Sequence, residues 1–208
     1  MMIPLDCREY LKNVLPTMNG WCTYDKAMDL IQDVINRKPV ECAEIGVFAG
    51  RSLFAIALAL KANKNGRIVG IDPWLPTEST KGFSKNDENS VWWNQLDHDS
   101  IFNECHRTVE NLDLSDKIEL FRGTSEEAAK KFQEEGRVFD MIHIDGNHSE
   151  ECSVNDVNLW LPLLRESGTV WFDDIDWQTT HEAQRILEDR CTCIILKQTY
   201  AMYQKKNG

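Results

Sequence analysis

What this chain lacks narrows its setting before any motif is read. Its longest uninterrupted apolar run, Leu53 to Leu60, is far too short to span a bilayer. The opening Met-Met-Ile-Pro-Leu-Asp has no basic region followed by an apolar one, so a cytoplasmic protein without membrane contact is expected. Positive charge is scarce: 23 Lys and Arg stand against 34 Asp and Glu, a net charge of −11, and the basic residues form no cluster. Such a surface repels a phosphate backbone, which argues against nucleic acid as a partner and favours small molecules or a divalent cation. The seven cysteines are odd in number and lack the spacing of a zinc site or a secreted disulfide scaffold, so reduced, structural thiols are expected. Repeats and low-complexity tracts are also missing. The 208 residues read as a single domain spanning 1–208, long enough to bury a full core.

What is present centres on Phe139 to His148, Phe-Asp-Met-Ile-His-Ile-Asp-Gly-Asn-His. The mostly apolar start has the character of a buried parallel strand, and Asp145-Gly146 closes it. Open α/β sheets bind ligands beyond the carboxyl ends of their strands, so Asp145 is delivered to a site. His148, whose ordinary pKa lies near neutrality, follows three residues later.

In chain order, Ala27, Leu30, Ile31, Val34 and Ile35 fall at helical spacing over Tyr24 to Arg37, with Trp21 before them read as capping the core in preference to covering a ligand. Val40 to Val47 predicts a strand that runs through Gly46 and Gly50 into an apolar helix ending near Gly66, a turn that lets a ligand approach the backbone. Arg67 to Ile71 predicts a second strand ending at Asp72, where a ribose hydroxyl pair is usually held. The stretch 73–96, rich in polar residues and carrying Trp74, Trp92 and Trp93, reads as a lid or substrate-selecting insertion. A helix over Asp97 to Asn111 is expected to leave His98 and His106 partly exposed. A third strand, Lys117 to Phe121, leads through Gly123-Thr124-Ser125 into a helix over Glu126 to Glu135. After the strand at 139–144, a helix is expected over Val154 to Leu164, then a strand, Thr169 to Phe172, running into Asp173-Asp174. Cys191 to Lys197 and Thr199 to Lys205 are joined too tightly for a crossover and form an antiparallel hairpin. Asp145, Asp173 and Asp174 thus make three carboxylates at neighbouring strand ends, a costly arrangement unless a hard cation such as Mg²⁺ joins them. Mid-strand His143 reads as a core or sheet-face residue.

This order, five βα units and a hairpin, resembles the class I S-adenosylmethionine-dependent methyltransferases from about Trp21 onward. The implied fold is α/β and Rossmann-like: a mostly parallel seven-stranded sheet with a C-terminal antiparallel hairpin and helices on both faces. Glu44-x-Gly46-x-x-x-Gly50-x-Ser52, with Phe48 inside it, is similar to the family's first motif. There the glycines approach the methionine part of the cofactor and Glu44 and Ser52 fix its polar end. Asp72 matches the ribose-binding acid, and Gly123, Thr124 and Ser125 match the adenine turn. Within the family the chain most resembles the metal-dependent small-molecule O-methyltransferases of the catechol, caffeoyl-CoA and macrolide-sugar type. That resemblance implies Asp145, Asp173 and Asp174 as ligands of a divalent cation, His148 as the base, and a sugar or phenol hydroxyl as acceptor. A metal-independent N- or O-methyltransferase and a non-catalytic cofactor-binding protein of the same fold stay open, as does homo-oligomer formation.

Overall fold

A computed structural model describes residues 3–207. Its seven-stranded sheet has the order β3-β2-β1-β4-β5-β7-β6. The strands are β1 (Glu41–Ile45), β2 (Arg67–Asp72), β3 (Ile118–Arg122), β4 (Phe139–Ile144), β5 (Leu164–Asp173), β6 (Cys191–Leu196) and β7 (Tyr200–Lys205). The first five are parallel, and β7 runs antiparallel between β5 and β6. This is the expected Rossmann-like methyltransferase fold.

Alternation along the strands divides the core in two. Cys42, Met141, Trp171 and Met202 face one layer, formed by the N-terminal α1 (Leu5–Glu9), α2 (Tyr24–Arg37), α3 (Arg51–Asn63) and α6 (His98–Asn111). Their neighbours Ala43, Ile142, Val170, Phe172 and Ala201 face the other, formed by α7 (Ser125–Glu134), α8 (Glu150–Trp160) and α9 (His181–Arg190). Two short helices, α4 (Pro76–Ser79) and α5 (Glu88–Asn94), lie in the insertion.

Local sequence explains the elements nearest the site. The Thr23 hydroxyl accepts from the Lys26 amide at 3.2 Å and so caps α2, while left-handed Lys38 ends it before Pro39. On the buried face of α2, Leu30, Ile31 and Val34 are fully covered, each contributing about 1.5–3 kcal/mol. Every residue of α3 from Ser52 to Leu60 is buried, which its continuous apolar run requires. Between β1 and α3, Gly46 has φ +86° and its amide bonds Ile71 O at 2.9 Å. A side chain there would meet the Asp145 carbonyl oxygen at 1.9 Å.

Several expectations need correction. Trp21 does not cap the core; it is 66% exposed at a cavity mouth. His98 is buried, with Nε2 3.0 Å from Trp93 O. The helix expected at Val154 begins at Glu150, and Leu164 already belongs to β5. Residues 5–17, for which the apolar pattern predicted nothing, form a helical segment that inserts Cys7, Tyr10, Leu11 and Leu15 into the first core.

Gly46→Ala combines a left-handed backbone with a clash against main chain that cannot move alone. It should destabilise the fold by at least about 3 kcal/mol in urea unfolding; a loss below about 1 kcal/mol would mean that the β1 and β4 ends are not held this close.

Candidate active site

The carboxyl ends of β1, β2, β4 and β5 open into a cavity of about 540 Å³. Its wall includes Gly46, Phe48 and Ser52 from the first turn, Asp72 after β2, Thr124 and Ser125 before α7, and Asp145, His148, Asp173 and Asp174 from β4 and β5. Most of the residues singled out in the sequence therefore meet in one place. Glu44 is the main exception: it is fully buried beneath the floor.

Asp72 organises the first turn. Its Oδ2 accepts from the amides of Val47 at 3.1 Å and Phe48 at 2.9 Å, and its Oδ1 from Trp74 N at 2.7 Å. These bonds hold Phe48 and Trp74 in left-handed conformations, φ +50° and +46°. Trp74 is buried, donating its indole N–H to Phe48 O at 2.9 Å and packing edge-on against Phe102, so it anchors the insertion. At the adenine-turn positions, Thr124 and Glu127 form a reciprocal capping box. Ser125 accepts from Trp160 Nε1 at 2.8 Å and bonds the carboxyl group of Asp156, whose pKa burial pushes up to about 7. Gly123 bonds the main-chain oxygen of Asp72 at 3.1 Å and stays behind the wall.

Strand parity sets the floor. Glu44 and His143 are register partners, and with Asp145 and Asp173 they project toward α2 and α3. Ser52 donates to Glu44 Oε1 at 2.9 Å, and Glu44 Oε2 lies 3.1 Å from His143 Nδ1. Burial pushes Glu44 up to about 8 and His143 down to about 3. Both shifts favour the uncharged forms, a carboxyl group beside a neutral imidazole.

The strand-end acids differ from expectation. Lys26, from the capped first turn of α2, reaches across the layer with its side chain only 6% exposed. Its Nζ lies 3.0 Å from Asp145 Oδ2 and in direct contact with Asp173 Oδ2. Burial is the largest influence and opposes its charge, but the surrounding acidic groups together, Asp145 first among them, keep the lysine pKa above its ordinary value. Asp174, left-handed at φ +51°, pairs instead with His148, Nε2 to Oδ2 at 2.7 Å. Burial works against the imidazolium here too, yet the hydrogen bond and charge of Asp174 raise the His148 pKa above its usual value.

The expected cation held jointly by Asp145, Asp173 and Asp174 therefore does not fit: two of the three acids share an ammonium and the third is engaged by an imidazole. The donor groups His143, Asp145 and Asp173 lie close enough for one ion, but Nζ already pairs with both carboxylates. Asp145, His148 and Asp174 are similarly close, with the His148–Asp174 hydrogen bond already made.

Sequence reading missed Lys26, although a lysine four residues before Leu30 on an apolar helix face was a visible signal. It also missed Asp156 and Asn147, whose amide donates to Glu78 O at 2.8 Å and Lys81 O at 3.0 Å, tying the insertion to the loop after β4. At the mouth, Trp21, Phe48, Trp92 and Trp93 pack on one another with centroid separations of 5.0 to 6.1 Å. His181 is exposed and outside the cavity wall.

Comparison with known proteins gives one family match: a methyltransferase domain, over residues 43–175. No curated protein matches the sequence. Among solved structures, an O-methyltransferase from Bacillus cereus in complex with SAH is similar with a TM-score of 0.68 at 16% identity, covering 99% of this chain and 94% of that one. An SAH-bound methyltransferase from Podospora anserina gives 0.70 at 16% identity, covering 99% and 89%. TomG, an O-methyltransferase from Streptomyces achromogenes involved in tomaymycin synthesis and solved with SAM, gives 0.67 at 16% identity, covering 97% and 88%. At this level of identity the likeness concerns the fold.

If Glu44 holds a proton to about pH 8, against an ordinary value of 4.5, the native chain binds a proton that the unfolded chain has released between those values. Stability then falls as pH rises through that window. Glu44→Gln should lack this loss, so its melting temperature should gain on wild type between about pH 5 and about pH 9. Parallel melting curves across the range would show that Glu44 is ionised in the fold.

Proposed function

The chain belongs to the methyltransferase-domain family, and on that premise we propose that it transfers the methyl group of S-adenosylmethionine to a hydroxyl of a small molecule, a sugar or a phenol, with His148 as base. The observation that carries this reading is the His148–Asp174 pair, 2.7 Å apart on the wall that also holds the first-motif turn. Asp174 fixes one ring nitrogen, leaving the other to take a proton.

Gly46, Phe48 and Ser52 would face the methionine part of the cofactor. Asp72, whose Oδ1 accepts only one amide, keeps a lone pair for a ribose hydroxyl, and Thr124, Ser125 and Asp156 would surround the adenine. The acceptor would stand between His148 and the aromatic mouth, where flat ring faces suit either a phenol or the apolar face of a sugar. In the reaction the acceptor oxygen forms a bond to the methyl carbon as the carbon–sulfur bond breaks. The hydroxyl proton passes to His148, and S-adenosylhomocysteine leaves. The sulfonium needs little activation, so holding the oxygen in line supplies much of the rate. The insertion at 73–96 serves as the lid, since α4 and α5 border the cavity through Glu78, Ser79, Asn89 and Ser90.

Calorimetric titration should find one S-adenosylmethionine bound per chain. His148→Ala should keep that affinity within about threefold while turnover of an acceptor found by screening phenols and sugars drops by about 10²–10⁴. Unchanged turnover would remove His148 from the chemistry, and absence of cofactor binding in wild type would overturn the reading as a whole.

A further inference from the structure

We propose that the Lys26 ammonium is the resident cation of this site: it stands where the carboxylates at the ends of β4 and β5 would otherwise call for a divalent ion, and the chain neither needs nor retains a metal there. Nζ is held by Asp145 Oδ2 at 3.0 Å and by Asp173 Oδ2 in direct contact, and the fully buried His143 lies beside those same two acids. His143 Nε2 lies 4.0 Å from that Asp145 oxygen and 3.7 Å from that Asp173 oxygen. Those are the same three residues whose donor groups lie close enough to suggest an ion site. A divalent ion on them would abut a buried ammonium, and like charges at such range in a partly desolvated site repel strongly.

The lysine is also not free to swing aside at no cost. It projects from the first turn of α2, which the Thr23 cap fixes, and its side chain is almost wholly covered. Displaced, its charge would leave two paired carboxylates for an apolar layer. With Asp145 and Asp173 neutralised from within, Asp174 is released to His148, so one internal cation accounts for both halves of the observed pairing. Lys26 is thus a positioning residue: it touches the acids, and through them sets the shape of the wall that carries the base. For its part in turnover this inference rests on the methyl-transfer reading; for ion occupancy it does not.

The test is a Mn²⁺ titration of the full chain, read as loss of the free-ion paramagnetic resonance signal, with no cofactor or acceptor present. Wild type should leave the signal unchanged. Lys26→Met, of similar length without the charge, should acquire a site and bind Mn²⁺ at least about tenfold more tightly than wild type, and adding Asp173→Asn should abolish the gain. Lys26→Arg, which restores the charge, should stay ion-free. Stoichiometric Mn²⁺ uptake by wild type that Asp145→Asn removes would overturn the proposal, and so would a folded Lys26→Met with no more affinity than wild type. Should Lys26→Met fail to fold, the wild-type and Lys26→Arg titrations decide alone. Failure of S-adenosylmethionine to bind would sink the methyl-transfer reading while leaving these ion titrations standing.

Discussion

A single ammonium group between two carboxylates constrains the whole upper edge of this sheet. Lys26 comes from α2, Asp145 from the residue just after β4 and Asp173 from the end of β5, so the contact staples a helix of one layer to the ends of these two strands. Buried ion pairs are weak sources of net stability but expensive to break from one side, about 3–5 kcal/mol when one partner is lost. That asymmetry favours the observed position of α2 against the sheet, in which all three charges are matched. The cap at Thr23, the close approach of Gly46 to Asp145 and the pairing of Asp174 with His148 are all consistent with that one position.

Around the staple, the structure handles buried polarity with protons more than with charges. Glu44 and His143 form a neutral pair directly under the floor, and Asp156 behind Ser125 has a pKa near 7. On the cavity wall, Asp145, Asp173 and Asp174 are matched by opposite charge and Asp72 by backbone amides. The three amides on Asp72 are an example, fixing a turn that would otherwise have no reason to hold Phe48 and Trp74 in left-handed conformations.

Much of this was legible in the sequence, and the reason is periodicity. The α2 boundaries follow from the spacing of its apolar residues, and β4 and the hairpin follow from β-forming runs closed by turns. The strand-end acids could be named because parallel sheets present their carboxyl ends to ligands. What stayed hidden depends on partners distant in sequence. Lys26 meets Asp145 across 119 positions, and nothing local says that a lysine on an apolar face will find two acids rather than solvent. Trp21 looked like a core residue because tryptophan usually is one; instead it joins Phe48, Trp92 and Trp93, a cluster drawn from three separate segments. Residues 5–17 escaped because a helical stretch that changes pitch twice has no single period to detect.

Asn147 sits between Asp145 and His148, and its amide holds the insertion by two carbonyl oxygens, while Gly82 of the insertion packs so closely on Ser149 that a methyl group would not fit. The insertion and the loop after β4 are therefore mechanically one piece. A lineage that altered residues 73–96 to admit a different compound would at the same time reposition the imidazole a few ångströms away. Diversification of such a scaffold must proceed by coordinated changes in both segments, and a graft of this insertion from a relative should carry its own Asn147 loop with it.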